Sequence, residues 1–158
     1  MSENEGMSII VKTISGLAFP LILIYGFYII AHGHLTPGGG FQGGAIVASG
    51  CVMIVVAFGS SWTMKKIKEE NLSVIESVGA VSFIGLAFLG LIFGGVFFNN
   101  YLANQGGLFG EAAQGLANIN TAGTLPLMNF AVGLKVIAGL FAIVLVMAYA
   151  TSNLKEGK

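Results

Sequence analysis

Charge is what this sequence has least of. It contains no Arg and no Asp, and its seven Lys and seven Glu make up 9% of 158 residues, against about a quarter in ordinary globular proteins. The net charge is zero. With no run of Lys or Arg there is no electrostatic footprint for phosphate, so nucleic acid is excluded as a partner. Cysteine and histidine are almost missing as well. A single Cys51 with His32 and His34 excludes an internal disulfide framework, a thiolate zinc site and an iron–sulfur site. The chain reads as a non-catalytic protein with no cofactor and no metal of its own.

What is there is apolar. Hydrophobic residues make up 55% of the chain, with 24 Gly and a mean hydropathy of +0.86. Four apolar stretches, about 9–31, 43–64, 74–98 and 127–150, each reach the roughly 20 residues a helix needs to cross about 30 Å of hydrocarbon. They do not alternate polar and apolar faces as the helices of a soluble bundle do. The expectation is an all-α membrane protein, residues 1–158 forming a single domain of four transmembrane helices in the lipid bilayer. The acidic leader MSENEG and the length of the first stretch do not fit a cleaved secretory signal, so the first helix is expected to be retained.

Lysine placement sets an orientation. Lys12 stands at the start of the first stretch. Lys65, Lys66 and Lys68 lie between the second and third, and Lys155 and Lys158 follow the fourth. The other two connections have none, so the positive-inside rule puts both termini and the loop 65–73 in the cytoplasm. An even number of crossings is then required, which four satisfies. Trp62, Tyr149, Phe97, Phe98 and Tyr101 fall near the ends of the stretches and suit interfacial belts.

Local signals refine this picture. Ser73 and Glu76 have the spacing of a capping box, which gives Glu76 a structural role at the start of the third helix. Pro20 should bend the first helix. Gly90 with Gly94, and Gly44 with Ala48, stand four residues apart, the interval at which small residues let helices touch in lipid. So many small residues exceed what four helices can hide, and the chain reads as a subunit contacting other membrane chains.

The most distinctive segment is HGHLTPGGGFQGG, from His32 to Gly44. Gly38, Gly40 and Gly43 match G-x-G-x-x-G, the pyrophosphate-cradling pattern. No strand precedes them and no acidic residue follows about 20 positions on, so that reading is rejected. Pro37 with Gly38, Gly39 and Gly40 instead predicts a compact irregular turn between the first two helices. Phe41, among glycines, reads either as a plug for a neighbouring surface or as an ordinary interfacial aromatic. His32 and His34, at spacing two and with no third ligand nearby, argue against a metal site.

Lys135 lies about eight residues, or about 12 Å, into the fourth stretch. A charge there costs at least a few kcal/mol unless it faces protein or water. Ala131, Ala138, Gly139 and Ala142 lie at helical spacing from it and form a stripe for a partner helix. A desolvated lysine can give up its proton, which makes Lys135 an ion-path candidate. The competing reading is a structural ion pair with a carboxylate of another subunit. In this chain Glu111, in the connection 99–126, is the only candidate partner on that side. That connection carries Leu102, Leu108, Phe109, Leu116 and Ile119. It is expected to fold over the outer face, with a short helix around 111–117. Asn120, Thr121, Thr124 and Pro126 read as turn and cap residues before the last helix.

The segment GHLTPGGGFQGGAIVASG, Gly33 to Gly50, resembles the signature of the MnhB family, the B-type subunits of multi-subunit Mrp-type Na+/H+ antiporters. Its specific part is Pro37, Gly38, Gly39, Gly40, Phe41, Gly43 and Gly44, and the four-helix plan agrees. The resemblance implies a small cell-membrane subunit supporting assembly and Na+/H+ movement, partnered by the other membrane subunits of the antiporter module. It equally implies the homologous module of an ion-pumping hydrogenase or sulfur-reducing respiratory complex. Pro37 and Phe41 match motif positions associated with function in the family, whereas Lys135 belongs to no matched motif.

Overall fold

The computed structural model describes residues 6–35, 37–103 and 122–156, the last four through their backbone alone. The described residues form helices α1 (Ile9–Ala31), α2 (Gly39–Phe58), α3 (Ser60–Lys66), α4 (Glu69–Gly94) and α5 (Leu125–Glu156). All but α3 are long and apolar enough to cross a membrane. α1 packs on α2, α2 on α5, and α5 on α4, with smaller contacts from α5 to α1 and α3. α4 therefore joins the rest chiefly through α5. Lipid offers no water to expel between helices, so close van der Waals approach must hold them together.

Helix boundaries differ from the hydropathy reading in ways that have local causes. α2 begins at Gly39, four residues before the expected start, with Gly38 (φ 144) turning the chain into it. It stops at Phe58 because Gly59 takes φ 93 and ψ 152, and the expected second span continues only as α3, which carries Trp62, Lys65 and Lys66. α1 runs unbroken through Pro20, whose ring lies on an exposed face.

α4 starts at Glu69, with Glu69 and Glu70 in its first turn, where carboxylates complement the positive end of the helix dipole. Ser73 and Glu76 thus lie inside the helix, and the capping box is not formed. Instead the Ser77 hydroxyl donates back to the Ser73 carbonyl at 2.8 Å.

α4 ends at Gly94, where Gly95 adopts φ 73 and its N–H donates to the Leu91 carbonyl. Phe97 and Phe98 lie beyond the helix rather than at its end. The chain folds back so that the Asn99 amide donates to the Gly94 carbonyl at 2.9 Å. Asn99 occupies the space over Gly90 and Gly94, so this pair seats the returning chain and not another helix. Asn100 then fastens the entry to α5. Its amide donates to the Ala122 carbonyl at 2.9 Å, while the Thr124 N–H and hydroxyl both donate to its oxygen at 2.7 and 2.9 Å. Thr124 caps α5 and Pro126 sits in the first turn, where no N–H is needed. Glu111, the expected helix 111–117, Leu108, Phe109, Leu116, Ile119, Asn120, Thr121 and Lys158 lie outside the described residues.

The polar ends of the helices meet at one side. The Met7 N–H donates to the Ala57 carbonyl at 3.0 Å, Lys12 stands over the Phe58 ring at 5.9 Å, and Ser60 donates to Ser152 at 3.4 Å. Just inside this end, buried Val55, Leu72, Phe141 and Leu145 tie α2, α4 and α5 together, with Cys51, Met64 and Ile67 packed around them.

Candidate functional site

Two features converge on α5. The first is the glycine-rich segment. His32 closes α1, stacks on Tyr28 at 4.3 Å and opens the turn that holds His34, in which the Leu35 N–H donates to the His32 carbonyl at 2.9 Å. The two rings do not come together with a third ligand; among the described residues no group of three His, Cys, Asp or Glu side chains forms. The His34 Nδ1 is buried without a hydrogen bond among the described residues.

Beyond them the glycines are spacers for Asn129 and its neighbours on α5. A Cβ at Gly33 would stand 2.8 Å from the Asn129 amide nitrogen, and one at Gly39 would stand 3.0 Å from its side-chain oxygen. At Gly40 it would collide with the Asn129 carbonyl. One turn on, Gly43 fits against Gly26 and Ile30 of α1, and Gly44 against Gly133 and Val136 of α5, each position too tight for a methyl. Pro37 and Gly38 thus keep the expected turn, whereas Gly39 and Gly40 already belong to α2, where their bare backbone is wedged against α5. Phe41 points away from this seat and is 61% exposed. Pro37 is exposed beside it.

The second feature lies farther along α5. The backbone of Lys135 is pressed by Gly79 of α4, where a Cβ would be 2.8 Å from the Lys135 nitrogen and 2.9 Å from the Ala131 carbonyl. Ala131 and Ala138 are buried, as the stripe of small residues requires, and the helix covering that stripe is α4 of this same chain. The Lys135 side chain itself is exposed at the edge of the seam.

Glu76, which the sequence pattern assigns to a cap, is a further candidate. It lies about two turns into α4 and half-buried, on the face that also holds buried Leu72, Gly79, Ala87 and Gly90. Its carboxylate carbon is 3.5 Å from the place a Gly139 Cβ would take, with the oxygens at 3.6 and 3.8 Å. Gly139 follows Lys135 by one turn, so an acid and a base share one helical seam. The spacing Leu72, Glu76, Gly79 is the signal that could have revealed this, and the adjacent Ser73 obscures it.

Comparison with known proteins places these features in a family. The domain described as related to the MnhB subunit of Na+/H+ antiporters matches residues 10–142, a span that holds the glycine segment, Glu76 and Lys135. An uncharacterized protein of Methanocaldococcus jannaschii is 38% identical over 130 residues, 78% of this chain and 47% of that one. The B-type Na+/H+ antiporter subunit of Bacillus subtilis is 32% identical over 87 residues, 55% of this chain and 52% of that one. The chain thus spans about half the length of the curated relatives it matches. Among solved structures, the membrane-bound sulfane sulfur reductase, an archaeal respiratory membrane complex, contains a similar chain. It superimposes with a TM-score of 0.71 at 28% identity, covering 93% of this chain and 60% of that one. A family match across most of the sequence, on a fold of four apolar membrane helices, makes this chain a member of the MnhB family of antiporter-related membrane subunits.

Proposed function

We propose that this chain is a small, non-catalytic integral-membrane subunit of a multi-subunit cation/proton antiporter module, supporting its assembly and the movement of Na+ and H+ through it. Lys135 is its ion-path residue. The observation that carries this reading is a lysine exposed at the edge of a helix seam about ten residues into α5. Lipid would not tolerate the charge there, so the position calls for a covering protein or a hydrated path. The other membrane subunits of the module supply that cover. The gathering of Lys12, Lys65 and Lys66 at one end of the helices supports cytoplasmic termini in the cell membrane.

Replacing Lys135 by Ala, Met or Gln in the assembled complex tests the reading. Ion-coupled transport in proteoliposomes should be lost while the subunits still copurify; full transport by the Ala variant would refute it.

A second reading places the same module in a respiratory complex with a hydrogenase or sulfur-reducing arm, this chain being a scaffold. The similarity to a chain of the sulfane sulfur reductase complex favours it. Isolation in mild detergent separates the two, because a redox arm copurifies only in the second.

A further inference from the structure

We propose that Glu76 is a second proton-carrying group of this chain, exchanging a proton with Lys135 across the seam between α4 and α5. The proposal rests on the reading of Lys135 as an ion-path residue and extends it to a residue on another helix.

The geometry sets the two residues one turn apart: the Glu76 carboxylate lies at Gly139 of α5, and the backbone of Lys135 lies against Gly79 of α4, its side chain leaving the seam at the exposed edge. The two contacts are one turn apart, about 6 Å along α5. Gly79 leaves no room for a methyl against the backbone of α5, so the helices meet closely there, while one turn on Gly139 gives the Glu76 carboxylate a place at ordinary contact distance. Among the described residues no ion pair joins them. The arrangement is a staggered acid and base.

Such a pair has a chemical property that neither member has alone. An isolated ammonium or carboxylate at this depth is costly. When the N–H bond at Lys135 Nζ breaks and an O–H bond forms on the Glu76 carboxylate, an amine and a carboxylic acid remain, and both charges vanish together. The reverse transfer restores them. A proton can thus be taken from one end of the seam and released at the other without a lone charge being stranded between. The gap of one turn is spanned by water, or by a polar group of the subunit that covers the exposed Lys135. The ion is a proton and not Na+, because an ammonium one turn away repels a second cation, whereas a proton is what the two groups can share.

The test uses the whole complex in proteoliposomes, with Na+-driven proton movement and copurification measured together. Glu76→Gln should assemble normally and slow transport by about a hundredfold or more, the scale of a lost acid–base group. Glu76→Asp should restore most of the rate. Native transport by Glu76→Gln beside an inactive Lys135→Met overturns this proposal and leaves the reading of Lys135 intact. Native transport by Lys135→Met overturns both. Loss of transport in Glu76→Gln and Glu76→Asp alike, in step with loss of the complex, assigns Glu76 to packing and overturns the proposal.

Discussion

Gly79 of α4 rests on the backbone of Lys135, leaving no space for a methyl between the helices. The contact fixes where the lysine sits. It belongs to the intrachain seam by its main chain and to the outer surface by its side chain, so the residue joins the packing of this chain to whatever covers it.

Gly79→Ala should therefore loosen the seam. The added methyl meets backbone atoms, which cannot rotate away, and overpacking of this kind costs about 1–3 kcal/mol. Gly85, in the same helix, has nothing within 4 Å of its Cβ position. Gly85→Ala should be neutral or stabilising by about 0.5–1 kcal/mol, the ordinary gain of Ala over Gly inside a helix. The thermal midpoints of the two variant complexes should differ in that order, and equal midpoints would show that the seam is not tight.

Phe41 offers a different test, because its ring contributes surface and little internal packing. Phe41→Ala should leave the helices of this chain in place while weakening its hold on the complex by about 1 kcal/mol or more, as for a buried aromatic anchor. Retention during detergent purification reads this directly. If the variant copurifies as tightly as the native chain at raised salt and detergent, Phe41 faces lipid.

Asn100 joins the chain leaving α4 to the start of α5 by three hydrogen bonds. Asn100→Ala strands the buried Thr124 hydroxyl and its N–H, at a cost of about 1–3 kcal/mol. Asn100→Asp keeps the acceptor for Thr124 and loses only the donation to Ala122, so its midpoint should fall between those of the Ala variant and the native complex.

The four membrane crossings are legible because hydrocarbon imposes a length and a composition that a sequence cannot disguise. The small-residue interval at Gly44, and Thr124 and Pro126 at the start of α5, are legible for similarly local reasons. Other features depend on distant partners. Gly39 and Gly40 have poor helix propensity and read as a turn, yet Asn129, about 90 residues away, turns them into the start of α2. Gly59 breaks an apolar run that hydropathy alone would continue. Gly90 and Gly94 have the spacing for a helix partner but receive Asn99 from their own chain. Glu76 escapes a sequence reading for the same reason: its spacing from Ser73 is visible, whereas the glycine opposite it on α5 is not.

The seat of the glycine segment and the charged seam lie on the same helix. Asn129 and Lys135 are six residues apart on α5, about 9 Å of rigid rod. Gly39 and Gly40, beside Phe41, rest on the Asn129 end of that rod, and Gly79 rests on its Lys135 end. The exposed ring of Phe41 and the exposed side chain of Lys135 are therefore mounted on one rod, and a single neighbour spanning that length could touch both.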